Sequence, residues 1–271
     1  MKRQWLLLVF PVALVGVLLA VKHFSKKPGG EEVVFSKPVT VLKDTTVVPN
    51  VPRDVVPRPN DATKSVQPEA VEKVASILEK YVKEHPDAAD IGDAYYNLGT
   101  TYYQSGQYEK AIEPLRKAIE YHPYDADAHF TLGNAYTQLK RYKEAAQEFE
   151  TMIKIEPKND AVFYNLGNAY LNMKEYDQAI AKYKEALALN PKNSATHYVL
   201  GFTYGAQHRY KDASDELQQA ITLDPNNAEA RYYLAMAKLE AGDKEGAKEQ
   251  YELLKKSNPQ YADEINKRMS N

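Results

Sequence analysis

Cysteine is absent from this 271-residue sequence, tryptophan occurs once, and neither sign of charge prevails, since 35 basic and 37 acidic side chains leave a net charge of −2. Without cysteine there is no disulfide, no thiolate metal site, no cysteine nucleophile and no lipid-modified N-terminal cysteine, while the redox compartment stays open. The balanced charge argues against nucleic acid, whose binders carry a basic stripe or a high isoelectric point. Patterns such as H-E-x-x-H, G-x-x-x-x-G-K-[ST] and G-x-S-x-G are missing as well. The histidines are scattered: His85 and His122 precede prolines, and His129 and His197 sit among apolar residues. No catalytic residue, metal site or cofactor is therefore expected, and the chain reads as a non-enzyme. What is present is a folded-protein composition, 44% hydrophobic and 27% charged, with 21 tyrosines that need a reason.

The first 27 residues read as a membrane anchor or signal segment. Lys2 and Arg3 precede an uncharged run from Trp5 to Val21, which as a helix would reach about 25 Å, near the lower limit for a bilayer core. Ala20 lacks a second small residue at Leu18, and Lys22 and His23 follow at once, so an uncleaved anchor is favoured over a cleaved signal. Lys22, Lys26 and Lys27 balance the positive charges on the other side, so charge does not orient the segment. The short N-terminus resembles bacterial signal anchors, which places the rest on the extracytoplasmic (periplasmic) side, with the cytosolic side as the alternative. Residues 28–68 hold seven of the 15 prolines. Each proline removes a backbone donor and fixes φ, so this segment is expected to be a flexible linker.

Beyond it the chain repeats every 34 residues, as YYNLGTTYY, HFTLGNAYT, FYNLGNAYL, HYVLGFTYG and RYYLAMAKL show. Leu98, Leu132, Leu166, Leu200 and Leu234 are in step, as are Gly99, Gly133, Gly167 and Gly201, five alanines from Ala111 to Ala247, and five prolines from Pro123 to Pro259. In the third unit Phe163, Leu166 and Tyr170 lie on one face of a first helix. Lys174 and Glu175 make a turn, and Ala179, Tyr183 and Ala186 line a second helix that Pro191 ends. One such pair cannot bury its apolar face alone, so successive pairs must stack. EAVEKVASILEKYVKEHPD should form an N-terminal capping helix over 69–86, and YADEINKRM a C-terminal one within 260–271.

The pattern resembles the tetratricopeptide repeat (TPR) family, whose signature W-x2-L-G-x2-Y … A-x3-F … A-x4-P is met by Phe163-Leu166-Gly167-Tyr170 … Ala179-Tyr183-Ala186-Pro191 and by Tyr95-Leu98-Gly99-Tyr102 … Ala111-Leu115-Ala118-Pro123. The last unit departs, with Arg231, Ala235, Lys238 and Leu254 at signature positions. The resemblance implies an all-α fold: a right-handed solenoid of five helix-turn-helix repeats over 92–259 (92–125, 126–159, 160–193, 194–227 and 228–261); the uncharged run at the start adds an expected N-terminal transmembrane helix ahead of it. The resemblance makes Tyr102, Tyr136, Tyr170 and Tyr204 packing residues of the first helices and Tyr108, Tyr142, Tyr176 and Tyr210 packing residues at the turns.

The resemblance also turns one ladder toward a concave groove: Tyr96, Phe130, Tyr164, Tyr198 and Tyr232, with Asn97, Thr131 and Asn165 one position later and Thr100, Asn134 and Asn168 four positions later. Amides and amphipathic rings there would hold an extended peptide. Later units offer Val199, Phe202, Met236 and Leu239, and the charges are the acidic Asp93, Asp127, Glu229 and Glu240. Tyr96, Thr100 and Tyr164 occupy places where relatives that clamp a chaperone's C-terminal carboxylate carry lysine or arginine. The expected partner is thus a neutral to mildly basic protein or peptide, with no nucleic acid. The chain is read as a membrane-tethered adaptor supporting assembly of a membrane or cell-envelope complex. The alternatives are a self-assembling structural scaffold and a cytosol-facing targeting receptor.

Overall fold

Apolar residues recurring three and four apart become helices here without exception: the computed structural model describes residues 68–270, and among them are twelve α-helices and no strand. All lie in one of the chain's two compact units, Val51–Asn271. The expected anchor (1–27) and the linker (28–68, apart from Pro68) fall outside the described residues. Among those described, no helix is long and apolar enough to cross a membrane.

The helices are α1 (Pro68–Glu84), α2 (Ile91–Gln104), α3 (Tyr108–Tyr121), α4 (Ala126–Gln138), α5 (Tyr142–Ile155), α6 (Asp160–Asn172), α7 (Tyr176–Leu189), α8 (Ser194–Ala206), α9 (Tyr210–Leu223), α10 (Ala228–Glu240), α11 (Lys244–Ser257) and α12 (Pro259–Met269). α2 to α11 form five antiparallel pairs, and each second helix also meets the first helix of the next pair. First helices touch one another directly, as α2 does α4 and α8 does α10. Among the described residues no comparable contact joins two second helices, so the first helices line one face of the stack.

Each pair closes by the same contacts. Leu98, Leu132, Leu166, Leu200 and Leu234 are buried to within 4%, and each contributes about 1.5–3 kcal/mol by leaving water. The repeated glycine accepts a large side chain from the second helix. A Cβ on Gly99, Gly133, Gly167 or Gly201 would stand 2.5–2.8 Å from Leu115, Phe149, Tyr183 or Leu217. Every first helix ends on a residue at positive φ in one register position: Gly106, Lys140, Lys174, His208 and Gly242. The amide after it bonds five residues back, as Glu175 does to the Tyr170 carbonyl at 2.9 Å, a closure that satisfies otherwise orphaned helix carbonyls.

The ends are capped. Tyr102 of α2 donates to Glu79 of α1. At the other end Ala262 and Ile265 of α12 are buried with Ala235 and Leu254. Leu254, a departure from the repeat, thus fills the space between the last pair and its cap.

Candidate partner-binding wall

The first-helix layer carries the aromatic ladder, but unevenly. Tyr96 is only 2% exposed, and Thr100, Thr131 and Asn134 are buried as well. The Thr100 hydroxyl donates to its own helix at the Tyr96 and Asn97 carbonyls, and that of Thr131 donates to Asp127 O at 2.8 Å. These four are packing residues rather than surface. Asn97, Phe130, Tyr164, Asn165, Asn168, Tyr198, Phe202, Tyr232 and Met236 are half-buried. Asn168 uses its carbonyl to accept from the Tyr183 hydroxyl at 2.8 Å. The half-buried aromatic rings of the wall therefore run from the second unit to the fifth, with Asn97 the part of the first unit that reaches it.

At the fifth unit the rings converge. Tyr233, which the ladder reasoning passed over, lies 6.1 Å from Tyr198, 5.1 Å from Phe202 and 5.1 Å from Tyr232 between ring centroids. Tyr261 of α12 stacks on Tyr232 at 4.9 Å. The available signal was a departure: unit position six carries Asn97, Thr131, Asn165 and Val199 before Tyr233. Burial raises the Tyr232 phenol to about 12, helped by its hydrogen bond to Glu264, at 2.8 Å. Burial likewise raises Tyr198, whose neighbour Glu229 adds Coulombic repulsion of the phenolate and a hydrogen bond. α12 also brings in a cation that the acidic description of the groove lacked, since Arg268 stands 3.7 Å from Glu240.

Between α8, α9 and α10 this wall opens into a pocket of about 320 Å³. The buried Leu217 of α9 lines it together with Phe202, Gly205, Ala206, Tyr233 and Met236. Glu240 is the one acidic side chain lining it.

The packing histidines also have a defined job. His129 Nδ1 is 2.7 Å from Glu148 Oε2 and its Nε2 3.1 Å from the Pro123 carbonyl. His197 repeats this with Glu216 and Pro191 at 2.7 and 3.0 Å, and Arg231 does so with Gln250 and Pro225. Each therefore ties a first helix to its own second helix and to the preceding loop. Both acceptors of His129 favour a doubly protonated ring. Burial opposes that charge, but Glu148, the Pro123 carbonyl and Asp125 outweigh burial and raise the pKa above its ordinary 6.5. The bonds then stabilise the fold fully below the ordinary value, and the stabilisation fades as pH rises through the raised one. Urea unfolding is expected to show lower stability at pH 9 than at pH 6, with the difference reduced in His129→Gln. An unchanged difference in the variant would place the pH dependence elsewhere.

Stacked helix pairs joined in one 34-residue register, with a half-buried aromatic layer on the first helices, define a helical-repeat protein. The chain belongs to the tetratricopeptide repeat family: models described as "Tetratricopeptide repeat" match residues 70–125, 96–160, 161–193, 182–213 and 206–266, together well over half of it. Among solved structures it is similar to YrrB, described as a TPR protein with an unusual peptide-binding site (22% identity, 71% of this chain and 99% of that one, TM-score 0.61). It is also similar to MamA from Desulfovibrio magneticus RS-1 (21%, 62% and 96%, TM-score 0.59) and to PilF of Pseudomonas aeruginosa (22%, 74% and 91%, TM-score 0.59). At these identities the likeness is one of fold. No curated protein matches the sequence.

Proposed function

We propose that this protein is a membrane-tethered adaptor whose first-helix wall binds a neutral to mildly basic protein segment, supporting assembly of a membrane or cell-envelope complex. The observation that carries this reading is the half-buried ladder Phe130, Tyr164, Tyr198 and Tyr232 along the first helices of the stack. Rigid amphipathic rings lose little entropy when they are covered, which suits them to holding an extended chain. YrrB, of the same fold, is described as having a peptide-binding site. The membrane part rests on the uncharged run from Trp5 to Val21, and the proline-rich segment after it gives the repeats reach. Binding then acts by raising the local concentration of the partner at the bilayer.

The test is crosslinking in cells, with a photoreactive amino acid in place of Tyr164 or Tyr198 on the wall and of the exposed Lys184 on α7. A discrete adduct from the wall positions alone is the expected result, and the partner's compartment then reports on which side of the membrane the repeats lie. Adducts between copies of the chain, or adducts from Lys184 only, would replace the adaptor with a self-assembling scaffold.

A further inference from the structure

The fourth unit breaks its own repeat at the pocket. The twelfth position of the five units is Tyr103, Thr137, Leu171, Gly205 and Leu239, and the thirteenth is Gln104, Gln138, Asn172, Ala206 and Glu240. Two adjacent side chains are therefore cut back at one place on the first-helix layer. A Cβ on Gly205 would meet nothing within 4 Å, unlike those on the packing glycines. Glycine within a helix costs about 1 kcal/mol relative to alanine, and no close approach at Gly205 offsets it. What the missing side chains leave is the pocket of about 320 Å³ lined by Leu217 among others, at the small end of the range for ligand clefts. Its size and apolar walls suit one bulky hydrocarbon side chain.

Tyr233 forms part of this pocket and is also the centre of the ring cluster beside it. Two carboxylates face that cluster, Glu229 against Tyr198 and Glu264 against Tyr232. Arg268 of α12 stands 3.7 Å from Glu240 and its charge also reaches the Tyr232 phenol. Aromatic faces bordered by carboxylates attract a cationic side chain, through the ring quadrupole and through charge.

We infer that the fourth and fifth units read a basic–apolar signature in a partner peptide: a bulky apolar side chain enters the pocket opened by Gly205 and Ala206, and a neighbouring lysine or arginine lies on the Tyr198–Tyr232–Tyr233 cluster between Glu229 and Glu264. This rests on the adaptor reading of the wall and gives it a specificity. The charge complementarity selects a cation next to the anchor; an acidic neighbour would meet Glu229 and Glu264 with repulsion.

Fluorescence anisotropy with the full chain tests the inference. The probes are labelled octapeptides of alanine and serine carrying Arg and Leu one or two positions apart in either order, with Asp–Leu and Arg–Ser versions as controls. At least one Arg–Leu peptide should bind about tenfold or more tighter than Arg–Ser, as burial of one apolar side chain predicts, and tighter than Asp–Leu, because the carboxylates repel the aspartate. Gly205→Leu installs the residue that units three and five already hold at this position. It should remain folded and abolish the advantage of Arg–Leu over Arg–Ser. The pair Glu229→Gln and Glu264→Gln should keep that advantage and lose the one over Asp–Leu. If no Arg–Leu peptide exceeds its controls, or if folded Gly205→Leu binds them as wild type does, the inference is overturned. Wall crosslinks at Tyr164 or Tyr198 would in that case still uphold the adaptor, whereas their absence would remove both.

Discussion

Replacing Tyr183 by alanine is expected to cost about 3–5 kcal/mol of stability, the range for emptying a large aromatic from a close-packed core. Tyr183 of α7 is fully buried. Its ring covers Gly167, stands 6.1 Å from the Tyr164 ring, and carries a hydroxyl that donates to Asn168 Oδ1. Removing it leaves a void between the two helices of the middle unit and an amide carbonyl without its donor. Tyr183→Phe keeps the packing and loses only the hydrogen bond, so it should cost about 1 kcal/mol. Because each unit of a solenoid is held chiefly by its neighbours, a weakened third unit should also uncouple the two ends. Urea unfolding followed by far-UV circular dichroism should change from one steep transition to a broad or two-step one in Tyr183→Ala. Equal losses in the alanine and phenylalanine variants would mean that the hydroxyl, and not the ring, closes this unit.

The second large effect sets two glycines against each other. Gly167→Ala places a Cβ 2.5 Å from Tyr183 Cε1 and 2.7 Å from its Cδ1. That ring is hemmed in on all sides, so the helices must separate, at a cost of about 1–3 kcal/mol. Gly205→Ala meets no atom. It should gain roughly 0.5–1 kcal/mol from helix propensity and from a less flexible unfolded chain. The two substitutions are chemically identical and sit in helices of the same rank. Thermal denaturation should therefore move in opposite directions, and a shift of the same sign in both would refute the assignment of Gly167 as a contact and Gly205 as an opening.

The candidate wall was legible in part. Register alone put Tyr164, Tyr198 and Tyr232 on one helix face, and all three are half-buried there. Register could not tell that Tyr96, in the same position of the first unit, is buried, or that Thr100 and Thr131 turn their hydroxyls back to helix carbonyls. A position in a repeat states which way a side chain points, while its exposure depends on what stands opposite. Arg268 and Tyr261 lie on α12, beyond the last helix pair, so the recurrence of side chains from pair to pair does not reach them.

By itself the sequence determined the class of fold and the unit that builds it. Leucine, glycine, alanine and proline recur at intervals of 34, and helices of that spacing can bury their apolar faces only by stacking. The same periodicity marked the packing tyrosines Tyr102, Tyr136, Tyr170 and Tyr204, which are all buried. Only the tertiary structure decided which glycine is a contact and which an opening, because Gly167 and Gly205 differ in whether a ring from another helix arrives above them. It also decided that His129 bridges Glu148 and Pro123, and that Tyr233 gathers Tyr198, Phe202 and Tyr232 around it. These are distances between side chains on different helices, and they come into being only when the pairs have packed.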